Sequence, residues 1–406
     1  MFTTMPPPVL VVFCHLRWSF VYQRPQHLMS RLAGRWRVVF VEEPMRCDGP
    51  AHVEVRDIAP QLQLLVPHTP VPATGFHDDQ LAATQTLLEA HFAAEQLHVD
   101  VAWLYTPMAL PLVSAVRPDC VVYDCMDELT AFKDAPRQLR QRESALLKRA
   151  AIVFTGGPSL YEAKRRLHPH VVCLPSAVDA DHFDANRLQA DSPHAAEVDR
   201  LQGDLPQPRL GFFGVIDERL DTRLVAAVAD AHPEWAIVMV GPVAKIDPAT
   251  LPQRPNLHWL GMQGYERLPY LLAGWDVALM PFALNEATRF ISPTKTLEYM
   301  AGGKPVVSSP VADVVSLYGD AVEVADGPQQ FVQACEKLLA ETAAERAERR
   351  VAMAASVTRF SWDFAADTVH ALLSQVVRLA RPAAVVEQLA AETRPAPLAA
   401  VGGLRN

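Results

Sequence analysis

The stretch Pro281-Phe-Ala-Leu-Asn-Glu-Ala-Thr-Arg-Phe-Ile-Ser-Pro-Thr-Lys-Thr-Leu-Glu-Tyr-Met-Ala-Gly-Gly-Lys-Pro-Val-Val307 decides the fold of this chain. It predicts the end of a strand, a loop, a short helix, a turn and a second strand. Ser292 suits the N-cap of the helix, and Pro293 suits its first position, where a missing N–H costs nothing. Gly302-Gly303 then ends the helix. This is the strand–helix–strand unit of an α/β fold.

The same helix carries the residues of an anion site. The free amides of its first turn, with the helix dipole behind them, favour a ligand such as a diphosphate. Lys295 adds a positive charge in that turn, and Glu298 lies on the same face, where a carboxylate can accept hydrogen bonds from two sugar hydroxyls. An isolated Lys-x-x-Glu pair is more often a solvated pair on a helix surface. The ordered context of a capped helix between two strands favours a site for a nucleotide diphosphate.

Short apolar runs alternate with helical stretches along most of the 406 residues. Such runs predict parallel sheets that are covered by helices on both faces. The pattern pauses between about residues 184 and 208, where a polar segment predicts an interdomain connection. The predicted fold class is therefore α/β, with two doubly wound, Rossmann-like domains that face a cleft. The predicted strands are Val9–Cys14, Val38–Val41, Leu62–Val66, Val101–Tyr105, Cys120–Tyr123, Ile152–Thr155, Val171–Leu174, Leu210–Val215, Ala236–Val240, Leu257–Leu260, Val277–Met280, Val306–Ser308 and Ala321–Val324.

Composition and charge argue against several classes of function. The net charge of −9 disfavours a dedicated nucleic-acid binder, which needs a basic face. The six cysteines are scattered without a Cys-x-x-Cys pair, so they predict free thiols rather than disulfides or a zinc site. No apolar run reaches transmembrane length. We therefore expect a cytoplasmic protein, or one at the inner face of the plasma membrane.

Ser292-Pro-Thr-Lys-Thr-Leu-Glu-Tyr-Met-Ala-Gly-Gly-Lys-Pro-Val-Val307 resembles the donor-site signature of group-1 glycosyltransferases, which have the two-domain GT-B fold. These enzymes transfer a sugar from a nucleotide donor, usually with retention of anomeric configuration. The resemblance implies that Glu298 binds the ribose hydroxyls, while Lys295 and the helix start at Ser292, Pro293 and Thr294 hold the diphosphate. Many members carry a second glutamate eight positions before the first, in contact with the donor sugar. This chain has Phe290 there.

The N-terminal half resembles a subgroup of that family. Trp18-Ser-Phe-Val-Tyr-Gln-Arg-Pro-Gln-His-Leu-Met-Ser-Arg-Leu-Ala33, Tyr123-Asp-Cys-Met-Asp-Glu128 and Phe154-Thr-Gly-Gly-Pro-Ser159 are similar to segments of teichuronic-acid-type and capsular polysaccharide glycosyltransferases. The resemblance implies an acceptor domain over residues 1–190 and a nucleotide-sugar donor domain over 208–360. It also implies a helix over 361–380 that crosses back to the first domain. The Ala/Pro/Gly-rich residues 381–406 predict a flexible tail.

Strand ends supply candidate residues in the first domain, because ligands of open α/β sheets lie at the carboxyl ends of strands. After the first strand, Arg17, Arg24 and Gln26 are candidates for acceptor binding, and a structural ion pair is an equal alternative for Arg24. After the fifth strand, Asp124 and Asp127 are candidates for catalysis beside the helix lysine. A helix N-cap is an alternative role for Asp127.

Met126, between those two aspartates, stands where many relatives carry a histidine near the donor sugar. In the second domain, Gly214 is a candidate for close backbone approach to the diphosphate and Arg219 for its charge. Gly156-Gly157 allows close approach of a ligand or simply makes a turn.

A cluster of basic residues in the first domain suits anionic lipid or a lipid-diphosphate acceptor, although a solvated helix face is the commoner explanation. Its members are Arg137, Arg140, Arg142, Lys148, Arg149, Lys164, Arg165 and Arg166.

The leading hypothesis is a nucleotide-sugar-dependent glycosyltransferase that acts on a cell-surface polysaccharide or a lipid-linked acceptor. The nucleotide-sugar donor and the glycan acceptor are the expected partners. We expect no cofactor and no metal, because helix amides and Lys295 can replace a cation at the diphosphate. Two alternatives stay open: a nucleotide-sugar epimerase of the same fold, and a catalytically silent sugar-nucleotide-binding assembly subunit, which Phe290 and Met126 keep plausible.

Overall fold

The computed structural model describes residues 6–133 and 135–380. Within these residues two separate sheets follow each other along the chain, the first between residues 9 and 173 and the second between 209 and 324. The predicted α/β class with two parallel-sheet domains is confirmed. The predicted tail, 381–406, lies outside the described residues.

The first domain is built on a sheet with nine strands in the described residues. They are β1 (Val9–Cys14), β2 (Arg37–Glu42), β3 (Met45–Arg46), β4 (His52–Ala59), β5 (Leu62–Thr69), β6 (Val101–Leu104), β7 (Cys120–Cys125), β8 (Ile152–Thr155) and β9 (Val171–Cys173). Their order is β3-β5-β2-β1-β6-β7-β8-β9, and β4 pairs with β5 in antiparallel orientation. Alternate residues of β1 enter two different buried clusters, so both faces of the sheet are covered.

The second domain is built on a sheet with the order β12-β11-β10-β13-β14-β15, in which every pair is parallel. The reversal of strand order beside β10 is a topological switch point, where ligands of open sheets bind. Its strands are β10 (Arg209–Phe213), β11 (Ala236–Val240), β12 (Leu257–Trp259), β13 (Val277–Met280), β14 (Val306–Ser308) and β15 (Glu323–Val324).

Helices cover both sheets and join them. They are α1 (Arg24–Leu32), α2 (Asp78–Ala94), α3 (Val113–Val116), α4 (Leu139–Arg149), α5 (Pro158–Lys164), α6 (Ala180–Phe183), α7 (Pro193–Gln202), α8 (Thr222–Ala231), α9 (Leu268–Ala273), α10 (Thr294–Ala301), α11 (Ala312–Tyr318), α12 (Gly327–Ala340), α13 (Ala343–Arg359) and α14 (Trp362–Ala380). Within the part of the chain described here, no helix is both long and apolar enough to cross a bilayer.

The last helix, α14, packs on the first domain, as the resemblance implies. Trp362, Val369 and Leu373 are fully buried in the same cluster as β1 and α1. The Trp362 ring also stacks on His27 of α1, with ring centroids 5.0 Å apart. The prediction of a crossover helix is therefore confirmed.

Two elements differ from the sequence analysis. Residues 184–208, predicted as a plain connection, contain α7, which begins after Ser192 with Pro193 in its first turn. The analysis also missed β4, whose residues are mostly exposed. Its polar–apolar alternation in His52-Val-Glu-Val-Arg-Asp-Ile-Ala59 is typical of a strand with one solvated face, whereas the search was for continuous apolar runs.

Candidate active site

The helix α10 is held against the end of β10 by a tyrosine. The backbone N–H of Phe213, the last residue of β10, donates to the Tyr299 hydroxyl oxygen at 2.9 Å. The next residue, Gly214, has a φ of +152°, and a Cβ there would overlap Cε of Lys295. Glycine is favoured at this position because other residues rarely adopt this positive φ, and its bare backbone leaves room for the Lys295 side chain.

Lys295 and Glu298 both line a cavity of about 320 Å³. Glu298 is only 6% exposed. Burial raises the pKa of its carboxyl to about 7, and the positive charge of Lys295 opposes that effect. Burial also lowers the pKa of the Lys295 ammonium, which the Glu298 charge opposes. Both groups are largely removed from water although they line the cavity, so an anion and a pair of hydroxyls would satisfy them.

Residues of both domains line this cavity. The first domain contributes the loop Trp18–Gln23, and the second contributes Gly214, Gly241 and Tyr265 among others. Tyr22 of that loop stacks on Tyr265, with ring centroids 4.7 Å apart. The cavity lies where β1, β10 and β11 end, which is the edge at which parallel sheets bind ligands.

Arg219 follows β10, and its guanidinium forms an ion pair with Asp217. Its Nε and Nη2 donate to the two carboxylate oxygens of Asp217 at 2.7 to 3.1 Å. Phe132 of the first domain reaches across the cleft to this group, with its ring centroid 5.6 Å from Arg219 Cζ and 4.7 Å from Lys245 Nζ. The positive charge of Arg219 adds to the effect of burial and lowers the pKa of the Lys295 ammonium.

The two candidate catalytic aspartates have different surroundings. Asp124 is fully buried in β7 and accepts hydrogen bonds from Nε and Nη2 of Arg24, both at 2.9 Å. The carboxylate of Asp127 makes no hydrogen bond with the described residues. Burial raises the pKa of Asp127, while the charges of Arg219, Arg24 and Lys295 lower it. Asp127 is thus the aspartate that a ligand can reach.

The alternative role of Asp127 as a helix N-cap is not observed. The short 3-10 segment that follows β7 spans Leu129–Ala131, and its N-cap residue is Glu128. The Asp127 carboxylate instead lies near enough to Arg219 and Lys295 of the second domain for their charges to lower its pKa, against the larger effect of burial.

The sequence left open whether Arg24 binds an acceptor or forms a structural ion pair, and the structure shows an ion pair with Asp124. Arg24 is 3% exposed, and its Nη1 donates to the carbonyl oxygen of Leu174 at 2.7 Å. Together with the bidentate pair to Asp124, this placement favours a structural role over direct contact with an acceptor. Its role in acceptor binding stays a prediction.

Gln26 and Arg17 shape the loop on the acceptor side of the cavity. Gln26 is 1% exposed, and its Nε2 donates to the carbonyl oxygens of Trp18 and Val21, both at 3.1 Å. Arg17 is partly exposed and its Nη1 donates to Glu42 Oε2 at 2.9 Å. Gln26 therefore positions the loop from beneath, whereas Arg17 keeps an exposed part.

The predicted cap of α10 is wrong by one residue. The N-cap is Pro293, with a ψ of 116°, and the helix begins at Thr294. The hydroxyl of Ser292 makes no hydrogen bond with the described residues and does not cap the helix. The first-turn amides of α10 thus lack a side-chain cap, and Thr294 lines the cavity beside Lys295.

The space around Ser292 is taken by the first domain. A Cβ on Gly157 would overlap Asp313 Oδ2 and crowd Ser292 Cβ. The same Asp313, from α11, accepts a hydrogen bond from the backbone N–H of Ser159 at 2.9 Å. Gly157 is therefore needed for a close approach between the domains, rather than for the turn alone.

Two side chains depart from the family pattern, and both pack against buried apolar clusters of the first domain. Phe290, where many relatives have a glutamate, is half-buried against the cluster that includes Leu139 and Leu146, and Arg289 lies over its ring. Met126, where many have a histidine, packs against the cluster around Trp36. Neither supplies a polar contact to a donor sugar.

Sequence analysis missed His15, which follows β1 directly. Its Nδ1 is buried and has no hydrogen-bond partner among the described residues. Burial lowers the pKa of the imidazole to about 4, with a smaller effect from Lys245 of the other domain. The strand-end rule that selected Arg17 points equally to His15 and could have found it.

One group of described residues could hold a metal ion: His98, Asp100 and Asp119. These residues precede β6 and β7, so they lie at the edge of the sheet opposite the cleft. The chain does contain the Asp-x-Asp sequence Asp179-Ala-Asp181, so the expectation of a metal-free site has no support from a lack of such motifs. Asp179 pairs with Arg31 at 3.0 Å and caps α6.

Comparison with known proteins finds a family, a relative and solved structures that this chain resembles. Residues 207–341 match the family model described as "Glycosyl transferases group 1". TuaH of Bacillus subtilis (strain 168), named as a teichuronic acid biosynthesis glycosyltransferase, is 26% identical over 261 residues, which cover 59% of this chain and 64% of TuaH. The match thus spans slightly less than two thirds of that relative.

Solved structures resemble about nine tenths of the chain. Sucrose-phosphate synthase from Thermosynechococcus elongatus has a TM-score of 0.69 at 16% identity, covering 91% of this chain and 99% of its own. Anabaena Alr3699/HepE, solved in complex with UDP and glucose, has a TM-score of 0.67 at 15% identity, covering 91% and 100%. Trehalose-6-phosphate synthase OtsA has a TM-score of 0.67 at 12% identity, covering 90% and 99%. The chain thus has the fold of GT-B glycosyltransferases, and its residues 207–341, with α10 in their midst, match the group-1 glycosyl transferase family.

Proposed function

We propose that this protein is a glycosyltransferase that moves a sugar from a nucleotide-diphosphate donor to a cell-surface polysaccharide or a lipid-linked acceptor, with retention of configuration. The observation that carries the proposal is the pair Lys295 and Glu298, which α10 presents to a cavity between the domains. Glu298 accepts hydrogen bonds from the ribose hydroxyls. Lys295, the first-turn amides of α10 and the backbone of Gly214 hold the diphosphate.

The chemistry follows from where negative charge develops. The bond between the anomeric carbon and the diphosphate oxygen breaks, a bond from that carbon to an acceptor oxygen forms, and the acceptor proton passes to the departing diphosphate. Lys295 and the helix amides stabilise the charge on the leaving group, with Arg219 nearby. Asp127, whose carboxylate faces these cations, orients the reacting groups. We further propose that no metal ion is needed, since these cations already offset the diphosphate charge.

The test is sugar transfer from a panel of labelled sugar nucleotides to acceptors in a bacterial membrane extract, with product analysis. Lys295→Ala should reduce turnover by about a hundredfold or more, the scale at which one transition-state donor acts. Lys337→Ala, an exposed lysine of α12, is the matched control and should keep wild-type turnover. Undiminished turnover in Lys295→Ala would overturn the assignment. EDTA should leave the wild-type rate unchanged.

A silent donor-binding subunit is the second candidate, and Phe290 favours it. This residue packs on the first domain where many relatives place a glutamate at the donor sugar. Nucleotide binding without transfer to any extract acceptor would support this candidate. An epimerised sugar nucleotide as the product would support the epimerase alternative.

A further inference from the structure

The basic cluster that the donor site does not use is mostly exposed, on the neighbouring helices α4 and α5 and just beyond their ends. Lys164 and Arg142 are exceptions: Lys164 is buried and paired with Glu143 at 2.6 Å, and Arg142 pairs with Asp78. The remaining six residues are exposed, and we call them the basic face. It consists of Arg137, Arg140, Lys148, Arg149, Arg165 and Arg166.

The two helices that carry the basic face lie side by side. The Lys164–Glu143 pair joins α5 to α4, and both helices bury leucines in one cluster on the same side of the first sheet. The exposed positions of α4 are Arg140, Gln141, Ser144, Ala145, Lys148 and Arg149, none of them acidic. On α5, Glu162 is the exposed acid, and it is paired with Arg165 at 2.6 Å.

Helix dipoles account for only part of this pattern. Cations are favourable at the C-terminal ends of helices, which explains Lys148 and Arg149. Arg140 lies in the first turn of α4 and Arg137 just precedes the helix, where the dipole disfavours positive charge. A basic face that runs the full length of α4, about 16 Å, in a chain of net charge −9 therefore calls for an anionic partner outside the molecule.

We propose that the basic face docks this protein on a bilayer that contains anionic lipid. The residues of the basic face lie on two helices and at their ends, and they line none of the three cavities described. Leu167, which is 58% exposed, follows Arg165 and Arg166 directly and offers an apolar side chain to the interface. Charge attraction and this leucine suit a lipid surface better than a small soluble anion.

The orientation of the basic face suits the proposed sugar transfer, and the biological role of the docking rests on that proposed function. Strands of the first sheet end at the cleft, so α4, which runs back from the end of β7, begins near the cleft at Arg140 and ends at the opposite edge. A bilayer against α4 therefore lies beside the cleft mouth, where an acceptor held by a lipid anchor can enter.

Vesicle co-sedimentation of the full chain tests the docking without donor or acceptor. The vesicles contain phosphatidylcholine with about one third phosphatidylglycerol, or phosphatidylcholine alone. The wild type should bind the first and not the second, and high salt should release it. The variant Arg140→Gln, Lys148→Gln, Arg149→Gln should bind at least tenfold more weakly, since each basic residue near the surface contributes about fivefold.

The matched control carries three neutralised arginines elsewhere, Arg200→Gln, Arg346→Gln and Arg350→Gln, all exposed on the second-domain side. It has the same net charge as the test variant and should bind like the wild type. Failure of the wild type to bind anionic vesicles, or equal loss in both variants, would overturn the proposal. Binding to a soluble polyanion without binding to vesicles would overturn it in favour of an anionic polymer. Because no donor is present, this result is independent of the proposed transfer reaction.

Discussion

At the scale of single residues, Glu298 has the most informative environment. Its carboxyl is buried beside one cation, Lys295, and its pKa is raised from 4.5 to about 7. A carboxyl with a raised pKa takes up a proton on folding, so its contribution to stability is lost as the pH rises through the window between those values. At neutral pH the folded protein therefore contains a carboxyl whose ionised form is disfavoured by burial. Such perturbed groups are frequent at functional sites.

Glu298→Gln should remove this pH dependence. From about pH 5 to about pH 8, the free energy of unfolding of the wild type should fall relative to the variant by up to about 3 kcal/mol. Urea unfolding at a series of pH values measures the difference. A constant difference across the series would show that Glu298 titrates normally in the folded protein.

Substitutions of Asp124 and Asp127 should have different effects, the first mainly on stability and the second mainly on sugar transfer. Asp124→Asn breaks a buried bidentate ion pair and should cost about 3–5 kcal/mol of stability, because Arg24 is left without its counter-charge. Asp127→Asn removes no hydrogen bond among the described residues, so stability should change by less than about 1 kcal/mol while sugar transfer falls. Thermal unfolding and transfer assays on both variants decide this. The reverse pattern would exchange the two roles.

At the scale of elements, the contact between the α5 start and α11 sets how closely the domains approach. Gly157→Ala should disrupt it, because the new methyl group would overlap the Asp313 carboxylate. We expect weaker donor binding from a displaced α10, since Ser292 lies in the same contact. Adding Asp313→Ala should restore much of the binding by making room for the methyl group. If the double variant binds no better than Gly157→Ala alone, the overlap is not the cause.

Local patterns predict the buried elements well and the exposed ones poorly. The apolar runs at Val9–Cys14 and Val277–Met280 match β1 and β13 to the residue, because both strands are buried on two faces. The edge strand β4 was missed because half-solvated strands lack such runs. The start of α10 was displaced by one residue, since Pro293 adopts an extended ψ of 116°, near the polyproline II region, instead of the helical value that the prediction assumed.

At the scale of the whole molecule, α14 ties the end of the second domain to the first. Trp362→Ala should cost about 3–5 kcal/mol, because it removes a fully buried ring that stacks on His27. Phe364→Ala is the matched control on the same helix, since that ring is 69% exposed and should change stability by less than about 0.5 kcal/mol. Equal effects in urea unfolding would contradict the docking of α14.

Contacts between the domains lie beyond what the sequence predicts. Tyr22 and Tyr265 stack across the cavity, and Asp313 binds the backbone of Ser159, although each pair is far apart in the chain. The sequence singled out Asp127 from its place after a strand, and Lys295 and Glu298 from the helix that carries them. It could not decide which of them the opposite domain engages, because that depends on how two separately folded sheets meet. Within the first domain the pairing of Arg24 with Asp124 was missed as well, since the two residues were predicted as separate candidates for acceptor binding and catalysis.

The central claim is that α10 binds a nucleotide diphosphate through Glu298 and Lys295. Calorimetric titration with the nucleoside diphosphates of the common bases, on the wild type and on Glu298→Ala, tests it most directly. We predict that at least one of them binds the wild type, and that the variant binds it at least tenfold more weakly while it unfolds as cooperatively as the wild type. Equal affinity in the variant, or no binding of any nucleotide to the wild type, would contradict the claim.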